Sequence, residues 1–225
     1  MAAIKAVIFD LDGVLIDSLP VHYKSYVHLY AQYGIKYTFD EFVRKDITAG
    51  AMNAIPRVLE EHGKDSKEVE TILRHRKKSF RKLLRQKNQI MDGIPIKLNP
   101  GVLTLLKSLK NNGYKTAVAS GGTHFFVHHV LRNNGIRKYF DAVVTGEGAR
   151  RKPHPDIFLK AAKKLRIKPR ECLVIEDSHD GVAAAKRAKM KAIGHYQPQY
   201  EQDLSQADKV VRRMNKINVN MIEKL

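Results

Sequence analysis

Residues 7–18 read VIFDLDGVLIDS, in which an apolar run ends at two aspartates, Asp10 and Asp12, followed directly by Gly13. The apolar run predicts a buried strand, and the aspartates are expected in the turn that follows it. Burying a carboxylate without a partner costs several kcal/mol. Two carboxylates at the end of a buried strand therefore indicate one of two things. They form a solvated Asp-Gly turn, or they belong to a site where they bind a cation, hold a proton or take part in a reaction.

The composition limits the class of protein. The chain has 225 residues, of which 43% are hydrophobic and 28% charged, as is typical of a globular protein with one large or two modest domains. No apolar stretch is long enough to span a bilayer, and the N-terminus runs straight into a strand-like segment. We therefore expect a cytoplasmic protein without a signal peptide. Cys172, the only cysteine, excludes an internal disulfide and is interpreted as a core residue.

The net charge of +18 is unusually high and indicates anionic partners. Residues 74–87, RHRKKSFRKLLRQK, carry eight Lys or Arg and no acid. Apolar residues recur at helical spacing through the same region, which favours an amphipathic helix with a basic solvated face. A nucleic-acid-binding surface is the alternative, and no zinc-ligand or aromatic RNA-binding pattern accompanies it.

Most of the chain predicts an α/β fold. Short, nearly continuous apolar runs, as expected of strands in a parallel sheet buried on both faces, occupy residues 4–9, 115–120, 141–145, 171–176 and 191–195. Helix-length segments lie between the later strands, at about residues 99–112, 123–134, 154–166 and 179–189. The alternation predicts an open, Rossmann-like parallel sheet with helices on both faces. A further strand is expected near residues 209–211, followed by a short closing helix.

The stretch after the first strand differs from this pattern. Residues 18–92 look helical almost throughout, with breaks near residues 34–37, 48–50 and 63–66. A helical block between the first strand and the rest of an α/β unit predicts an inserted domain. We therefore expect a core formed by residues 1–17 and 94–225, and a helical cap formed by residues 18–93.

Polar side chains follow several of the predicted strands. Ser120 ends the strand TAVAS, Glu176 and Asp177 end the strand VIED, and Lys152 lies in the loop RKPHPD before a helix. In an open parallel sheet, ligands bind outside the carboxyl ends of the strands. These residues are therefore expected at one edge of the sheet, together with the two aspartates that follow the first strand.

Taken in order, these motifs resemble those of the haloacid dehalogenase superfamily of phosphohydrolases, and they read Asp10-Leu-Asp12-Gly13-Val14, Ser120, Lys152-Pro153 and Glu176-Asp177. The helical insertion after the first motif is similar to the cap of the branch that contains β-phosphoglucomutases and phosphoglycolate phosphatases. The resemblance covers nearly the whole chain. It implies phosphoryl transfer on a small phosphorylated metabolite, and we expect a monomer or weak oligomer.

The resemblance also implies roles for the acidic residues. Asp10 would be the nucleophile that takes the phosphoryl group as an aspartyl-phosphate, and Asp12 would be the general acid and then the general base. Mg²⁺ would be bound by Asp10, the backbone carbonyl of Asp12 and Asp177. Glu176 would either bind the metal directly or support a residue that does. The dehalogenases of the superfamily lack the second acid and the acidic pair, which points to phosphoryl transfer here.

By the same resemblance, the phosphoryl group would be held by Ser120, by backbone N–H groups around Gly121 and by Lys152, which would also balance the carboxylates. Glycine lets the backbone approach an anion closely. His124 follows directly after this loop, and the sequence leaves open whether it faces the site or caps a helix.

The cap residues bear on the substrate. His22 falls where β-phosphoglucomutases carry a histidine at the cap hinge that helps to control the acid/base aspartate, although it also fits a polar hinge residue. Those mutases carry a cap arginine that grips a second phosphate. The corresponding stretch here reads RKDITAGAMN, where Lys45 is the possible replacement; Lys45 is also a possible Schiff-base lysine of a phosphonatase.

Three functions follow, in decreasing order of support. Without the arginine grip, water should compete better for the phospho-enzyme, so a Mg²⁺-dependent phosphatase is favoured. A phosphosugar mutase comes second. A basic nucleic-acid-binding protein without catalysis is the alternative from another class.

Overall fold

The computed structural model describes residues 3–47, 51–65, 71–74, 90–91, 94–200 and 202–225. The chain divides into two compact units. We call Met1–Asp17 together with Lys97–Leu225 unit 1, and Ser18–Ile96 unit 2.

The described residues form short strands and helices of moderate length. In chain order, the strands are β1 (Ala6–Phe9), β2 (Ile16–Asp17), β3 (Ile90–Met91), β4 (Ile94–Pro95), β5 (Lys97–Leu98), β6 (Lys115–Ser120), β7 (Ala142–Thr145), β8 (Cys172–Glu176), β9 (Lys191–His195) and β10 (Lys209–Val211). The α-helices are α1 (Leu19–Ala31), α2 (Phe39–Glu41), α3 (Ala51–Glu61), α4 (Val102–Asn111), α5 (His124–Asn133), α6 (Asp156–Leu165), α7 (His179–Arg187) and α8 (Val219–Glu223). A π-helical segment occupies Phe42–Asp46, and 3-10 turns occupy Arg137–Tyr139, Pro169–Glu171 and Met214–Lys216.

Unit 1 is built on a six-stranded sheet with the strand order β10-β9-β8-β1-β6-β7, and every pair in it is parallel. Phe9 of β1 pairs with Val118 of β6 on one side and with Ile175 of β8 on the other. The chain moves outward from β1 to β6 and β7, and then returns to add β8 on the opposite side. Strand order therefore reverses between β1 and β8, and a sheet of this kind binds its ligands outside that point.

Side chains on both faces of the sheet are buried. Ala6 and Ile8 of β1 pack on one face in a cluster that includes Phe158 of α6 and Val182 of α7. Neighbouring residues of a strand point to opposite faces, and Val7 is also fully buried. Burial on both faces explains why the strands read as nearly continuous apolar runs. The predicted α/β fold with a Rossmann-like parallel sheet is confirmed.

The individual elements of unit 1 agree closely with the prediction. The strands of the six-stranded sheet begin and end within about two residues of the predicted bounds, a margin that is common at the ends of such elements. Cys172 is the first residue of β8 and is fully buried, which confirms its interpretation as a core residue. Within the described part of the chain, no helix combines the length and the apolar character needed to cross a bilayer.

Unit 2 contains α1, α2, the π-helical segment and α3, and residues 71–74 are also helical. Its buried cluster combines aliphatic with aromatic side chains and includes Tyr26, Tyr30, Tyr37, Phe42, Ile55 and Leu59. One correction concerns the expectation that the insertion is helical almost throughout, because β3 and β4 form an antiparallel pair. Strands of two residues are too short to show an alternating pattern. The predicted break at residues 48–50 and the basic residues 75–87 lie outside the described residues.

Candidate active site

Asp10 and Asp12 follow β1 at the point where strand order reverses. The backbone N–H of Asp10 donates to the carbonyl of Ile175 in β8, over 3.0 Å, and so continues the pairing of the two strands by one residue. The Asp10 residue is only 6% exposed, whereas Asp12 is half-buried. Leu11, between them, is fully buried. The strand pairing and the buried leucine together hold the start of this turn against the sheet.

Lys152 brings a positive charge to Asp10. Its Nζ lies 2.5 Å from Oδ1 of Asp10 and also donates to Oε1 of Glu176. The side chain leaves the loop between β7 and α6, and Nζ lies over the ring of Phe158, 5.0 Å from its centre. The ring restricts where the lysine can move, and a cation over an aromatic face is stabilised there. Lys152 is thereby held between the carboxylate that follows β1 and the carboxylate of the last residue of β8.

Both carboxylate oxygens of Glu176 are engaged by the protein. Oε1 accepts from Lys152, and Oε2 accepts from the backbone N–H groups of Asp177 and Ser178 and from the Ser178 hydroxyl, at 2.8, 2.9 and 2.9 Å. Gly181 leaves room for this carboxyl group, because a β-carbon there would lie 1.9 Å from it. The arrangement favours the second of the two roles expected of Glu176, in which it supports a neighbouring residue and does not bind a metal itself.

Asp177 lies against the turn that follows β1. A β-carbon at Gly13 would stand 1.8 Å from Oδ2 of Asp177, and Gly13 has a φ of +72°, so glycine is required there by both space and backbone conformation. The hydroxyl of Tyr200 donates to the same Oδ2 over 2.5 Å. Asp177 is thus fixed between the first turn of the site and the loop that follows β9.

Negative charge exceeds positive charge in this cluster. Burial raises the pKa of Asp10 to about 7, because the opposing effect of Lys152 is offset by the charges of Glu176 and Asp12. Burial, followed by the charges of Glu176 and Asp10, also raises the pKa of Asp177. Burial alone would lower the pKa of Lys152, but its two carboxylate partners outweigh that effect and raise it. The lysine is therefore charged, and the acidic groups need further neutralisation.

A divalent cation would supply that neutralisation, and the donors present fit Mg²⁺. Mg²⁺ takes oxygen ligands and usually combines one or two carboxylates with several waters. Asp10 and Asp177 are two such carboxylates, and the carbonyl of Asp12 is a third oxygen in the same turn. Within the described residues, no three His, Cys, Asp or Glu side chains form a metal-binding group.

Ser120 ends β6, which lies beside β1, and is fully buried. Its Oγ accepts from the backbone N–H of Gly122 over 3.1 Å. A β-carbon at Gly146 would lie 2.3 Å from the carbonyl oxygen of Gly121, so the loops after β6 and β7 pack backbone against backbone. The Ser120 hydroxyl and the Gly121 backbone therefore share the sheet edge with Asp10, as predicted.

Three further residues, His124, His22 and Lys45, are predicted to contact the substrate. His124 begins α5, but the side chain that caps this helix is that of Thr123, so the suggestion that His124 is the cap is wrong. The ring of His124 packs against that of His128, with ring centres 4.1 Å apart. His22 and Lys45 belong to unit 2, where Lys45 Nζ lies 2.6 Å from Oε2 of Glu61.

Sequence reasoning missed four polar residues around the turn after β1. The carbonyl of Gly13 accepts from Asn99 Nδ2 and His195 Nδ1, at 2.9 Å each, and from Gln197 Nε2. Tyr200 is the fourth and donates to the acidic pair. All four are far from the turn in the chain, so no local spacing connects them with it. For His195, Gln197 and Tyr200, the available signal was the concentration of polar and aromatic residues, HYQPQY, at the end of a predicted strand; Asn99 had no such signal.

Comparison with known proteins places these motifs in a family. The haloacid dehalogenase-like hydrolase family matches residues 4–189. A phosphorylated carbohydrates phosphatase of Thermotoga maritima is 32% identical over 191 residues, which cover 84% of this chain and 83% of that protein. A β-phosphoglucomutase of Bacillus subtilis is 32% identical over 224 residues, which cover 97% and 93%.

A solved structure extends the match to the whole fold. The structure of CbbY from Rhodobacter sphaeroides in complex with phosphate is 26% identical, with a TM-score of 0.80 over 99% of this chain and 100% of that one. The family match spans every motif from Asp10 to Asp177. The resemblance inferred from those motifs is confirmed, and the chain belongs to the haloacid dehalogenase-like hydrolases, as an enzyme of their β-phosphoglucomutase and phosphatase branch.

Proposed function

We propose that the protein is a Mg²⁺-dependent phosphatase that hydrolyses a small phosphorylated metabolite, a sugar phosphate or a phosphoglycolate-like ester, through an aspartyl-phosphate on Asp10. The observation that carries the proposal is the contact of Lys152 with both Asp10 and Glu176. It joins a carboxylate nucleophile to a fixed positive charge where strand order reverses. Relatives named as a phosphorylated carbohydrates phosphatase and a fructose-1-phosphate phosphatase support the sugar phosphate class.

The two aspartates divide the reaction into two steps. A carboxylate oxygen of Asp10 attacks phosphorus while the bond from phosphorus to the ester oxygen breaks, and the departing oxygen takes the proton of Asp12. Water then attacks phosphorus and gives a proton to Asp12, and the bond to Asp10 breaks to release phosphate. The first step needs Asp12 protonated and Asp10 ionised, so their surroundings must differ. Burial raises the pKa of Asp10 to about 7, and the contact with Lys152 opposes that rise and so favours the ionised form that attacks.

Catalysis of phosphoryl transfer rests mainly on positioning and on charge stabilisation. Lys152 would neutralise charge on the transferred group, with its Nζ aligned by Glu176. The Ser120 hydroxyl and the N–H of Gly121 would donate to phosphoryl oxygens. Mg²⁺, when held by Asp10, Asp177 and the Asp12 carbonyl, would supply further electrostatic stabilisation of the same group.

The insertion, residues 18–93, would act as a cap that selects the substrate, with His22, Lys45 and, from the core, His124 as candidate contacts. Lys45 is paired with Glu61, and the negative charge of this carboxylate offsets the positive charge that Lys45 would need to bind a second phosphate. The pairing therefore favours a phosphatase over a mutase. A phosphosugar mutase remains the second candidate because the β-phosphoglucomutase of Bacillus subtilis aligns with 97% of the chain. Within a cell we expect a cytoplasmic monomer or weak oligomer.

The test is an assay of phosphate release from a panel of hexose phosphates, pentose phosphates, phosphoglycolate and an aryl phosphate. We expect release with Mg²⁺ and none after chelation. Asp10→Asn should abolish release, whereas Asp65→Asn, the same change at an exposed position of unit 2, should not affect it. Full activity in Asp10→Asn would refute the mechanism. Conversion of a hexose 1-phosphate to its 6-phosphate faster than phosphate release would identify a mutase.

A further inference from the structure

The segment His195–Tyr200, which we call the 195–200 strap, reaches the site at two points. His195 Nδ1 and Gln197 Nε2 donate to the carbonyl of Gly13. Tyr200 donates to Oδ2 of Asp177. We propose that the 195–200 strap positions two of the groups assigned to Mg²⁺, the carboxylate of Asp177 and the turn that carries the Asp12 carbonyl. The inference rests on the proposed function and assigns the strap residues a positioning role.

Tyr200 determines the orientation of Asp177. Within the described residues, no other side chain hydrogen-bonds the Asp177 carboxylate, and the phenol engages Oδ2 alone. Gly13 closes the other side, since a β-carbon there would touch both Oδ2 and the Tyr200 hydroxyl. One carboxylate oxygen is therefore fixed and the other is left for a cation. Residues that orient a metal ligand through a hydrogen bond commonly change metal affinity by about 10- to 100-fold.

His195 and Gln197 act on the turn after β1. A carbonyl oxygen only accepts, so His195 donates to Gly13 in the tautomer whose Nδ1 carries the proton, and Nδ1 also lies 3.1 Å from Nε2 of Gln197. His195 is 6% exposed, which shields its hydrogen bond from competing water. Gly13 is the next residue after Asp12, and the contacts to its carbonyl fix the peptide between Gly13 and Val14. The peptide that carries the Asp12 carbonyl is held in the same turn by the Gly13 N–H, which donates to the carbonyl of Ile16 over 2.9 Å. The strap thereby orders the turn after β1, through the Gly13 carbonyl, and the Asp177 side chain after β8, through Oδ2.

The test measures Mg²⁺ binding by titration calorimetry without substrate. The Mg²⁺ binding that wild type shows and Asp177→Asn lacks is taken as binding at this site. Tyr200→Phe removes the hydroxyl and is expected to weaken that binding by about tenfold or more. Tyr196→Phe makes the same change nearby, at a ring that stacks on Arg212, and should bind as wild type does. Wild-type affinity in Tyr200→Phe, or an equal loss in Tyr196→Phe, would overturn the inference.

A second pair of variants tests the other contact. His195→Ala removes one of the three side-chain donors to the Gly13 carbonyl and leaves Asn99 and Gln197 in place. In His195→Asn, the amide nitrogen can take the place of Nδ1. We expect weaker Mg²⁺ binding in the alanine variant and recovery in the asparagine variant. Thermal unfolding is recorded in chelator for each protein. If Tyr200→Phe and His195→Ala both lose their cooperative transition, the contacts hold the fold together and the positioning role is refuted.

The two proposals fail in different ways. If wild type binds Mg²⁺ and the strap variants bind it less tightly, the strap inference stands even where no ester releases phosphate, and only the proposed function is refuted. If the strap variants bind Mg²⁺ like wild type, the inference is overturned whatever the activity. A wild-type protein that binds no Mg²⁺ would refute both.

Discussion

Lys152 and Asp10 are 142 positions apart in the chain, and Nζ of the lysine lies 2.5 Å from Oδ1 of the aspartate. The parallel sheet makes this meeting possible, because the loop after the central strand β1 and the loop after the outermost strand β7, which carries Lys152, open on the same side of the sheet. The lysine side chain is 16% exposed, its two carboxylate partners are buried, and it donates to Glu176 as well. Removing one partner from such a group leaves the other charges uncompensated.

Lys152→Met is therefore expected to impair both stability and catalysis. Loss of a partner from a buried ion pair costs about 3–5 kcal/mol, and loss of one preorganised charge at a transition state costs about 100-fold or more in rate. Urea unfolding and phosphate release measure the two effects. Lys163→Met, at an exposed position of α6, is the matched control and should change neither. A Lys152→Met enzyme with unimpaired turnover would contradict the role assigned to this lysine.

Gly13→Ala should abolish activity. Comparison with Gly34→Ala separates the effect of backbone strain from that of the clash with Asp177. Both glycines have a φ of +72°, so alanine meets the same backbone strain of about 1–2 kcal/mol at either position. At Gly34 nothing lies within 4 Å of the added carbon, whereas at Gly13 it would stand 1.8 Å from Asp177. We expect a larger loss of unfolding free energy in Gly13→Ala, and phosphate release only in Gly34→Ala. Equal behaviour of the two variants would argue against the contact with Asp177.

Cys172 should be inert in the folded protein. Burial, with a smaller effect of Glu171, raises the pKa of the thiol to about 12, and the thiolate is the form that reacts with alkylating reagents. We expect no labelling by iodoacetamide at mildly alkaline pH until denaturant is added, and full labelling afterwards, as followed by mass spectrometry. Rapid labelling of the native protein would show that β8 opens readily or that the thiol is accessible.

Asp141 should contribute stability that depends on pH. Burial alone would raise its pKa, but hydrogen bonds from Lys110 and from the backbone of Thr116 hold it below the usual value. A carboxylate with a lowered folded pKa stabilises fully above its unfolded pKa, and the contribution is lost as pH falls through the folded pKa. Asp141→Asn should thus be less stable than wild type at neutral pH, by a difference that shrinks below about pH 4.

Urea unfolding of both proteins at several pH values between neutrality and the acid limit of folding checks this expectation. Asp65→Asn serves as the control at an exposed position. A difference between Asp141→Asn and wild type that stays constant down to the acid limit would assign the effect to packing and not to charge.

The sheet and its acidic groups were predictable because each has a local signature. Apolar runs of four to six residues mark strands buried on both faces, as in β6 and β8. Asp10 and Glu176 stand directly at the ends of such runs, so the sheet rule sufficed to bring them to one edge. Lys152 needed the motif as well, because a lysine in a loop has no periodicity of its own.

Other parts of the site could not be found in this way. Tyr200 and Asn99 contact residues far away in the chain, and a loop sequence does not specify which distant group a side chain meets. The π-helical segment Phe42–Asp46 also has no distinct sequence pattern. The β3–β4 pair escaped notice because its strands have two residues each. Long-range partners and very short elements are settled by the folded chain and not by local spacing.

The short ladder between β2 and β5 pairs Ile16 with Leu98 and Asp17 with Lys97. The chain therefore leaves unit 1 and re-enters it at neighbouring residues, and antiparallel partners lie only about 5 Å apart. A tight turn would span that gap. Residues 18–96 can therefore be replaced by another segment without interrupting any strand pair of the six-stranded sheet. Under the proposed function, the residues of phosphoryl transfer in unit 1 can stay unchanged during evolution while the inserted segment that selects the substrate is replaced.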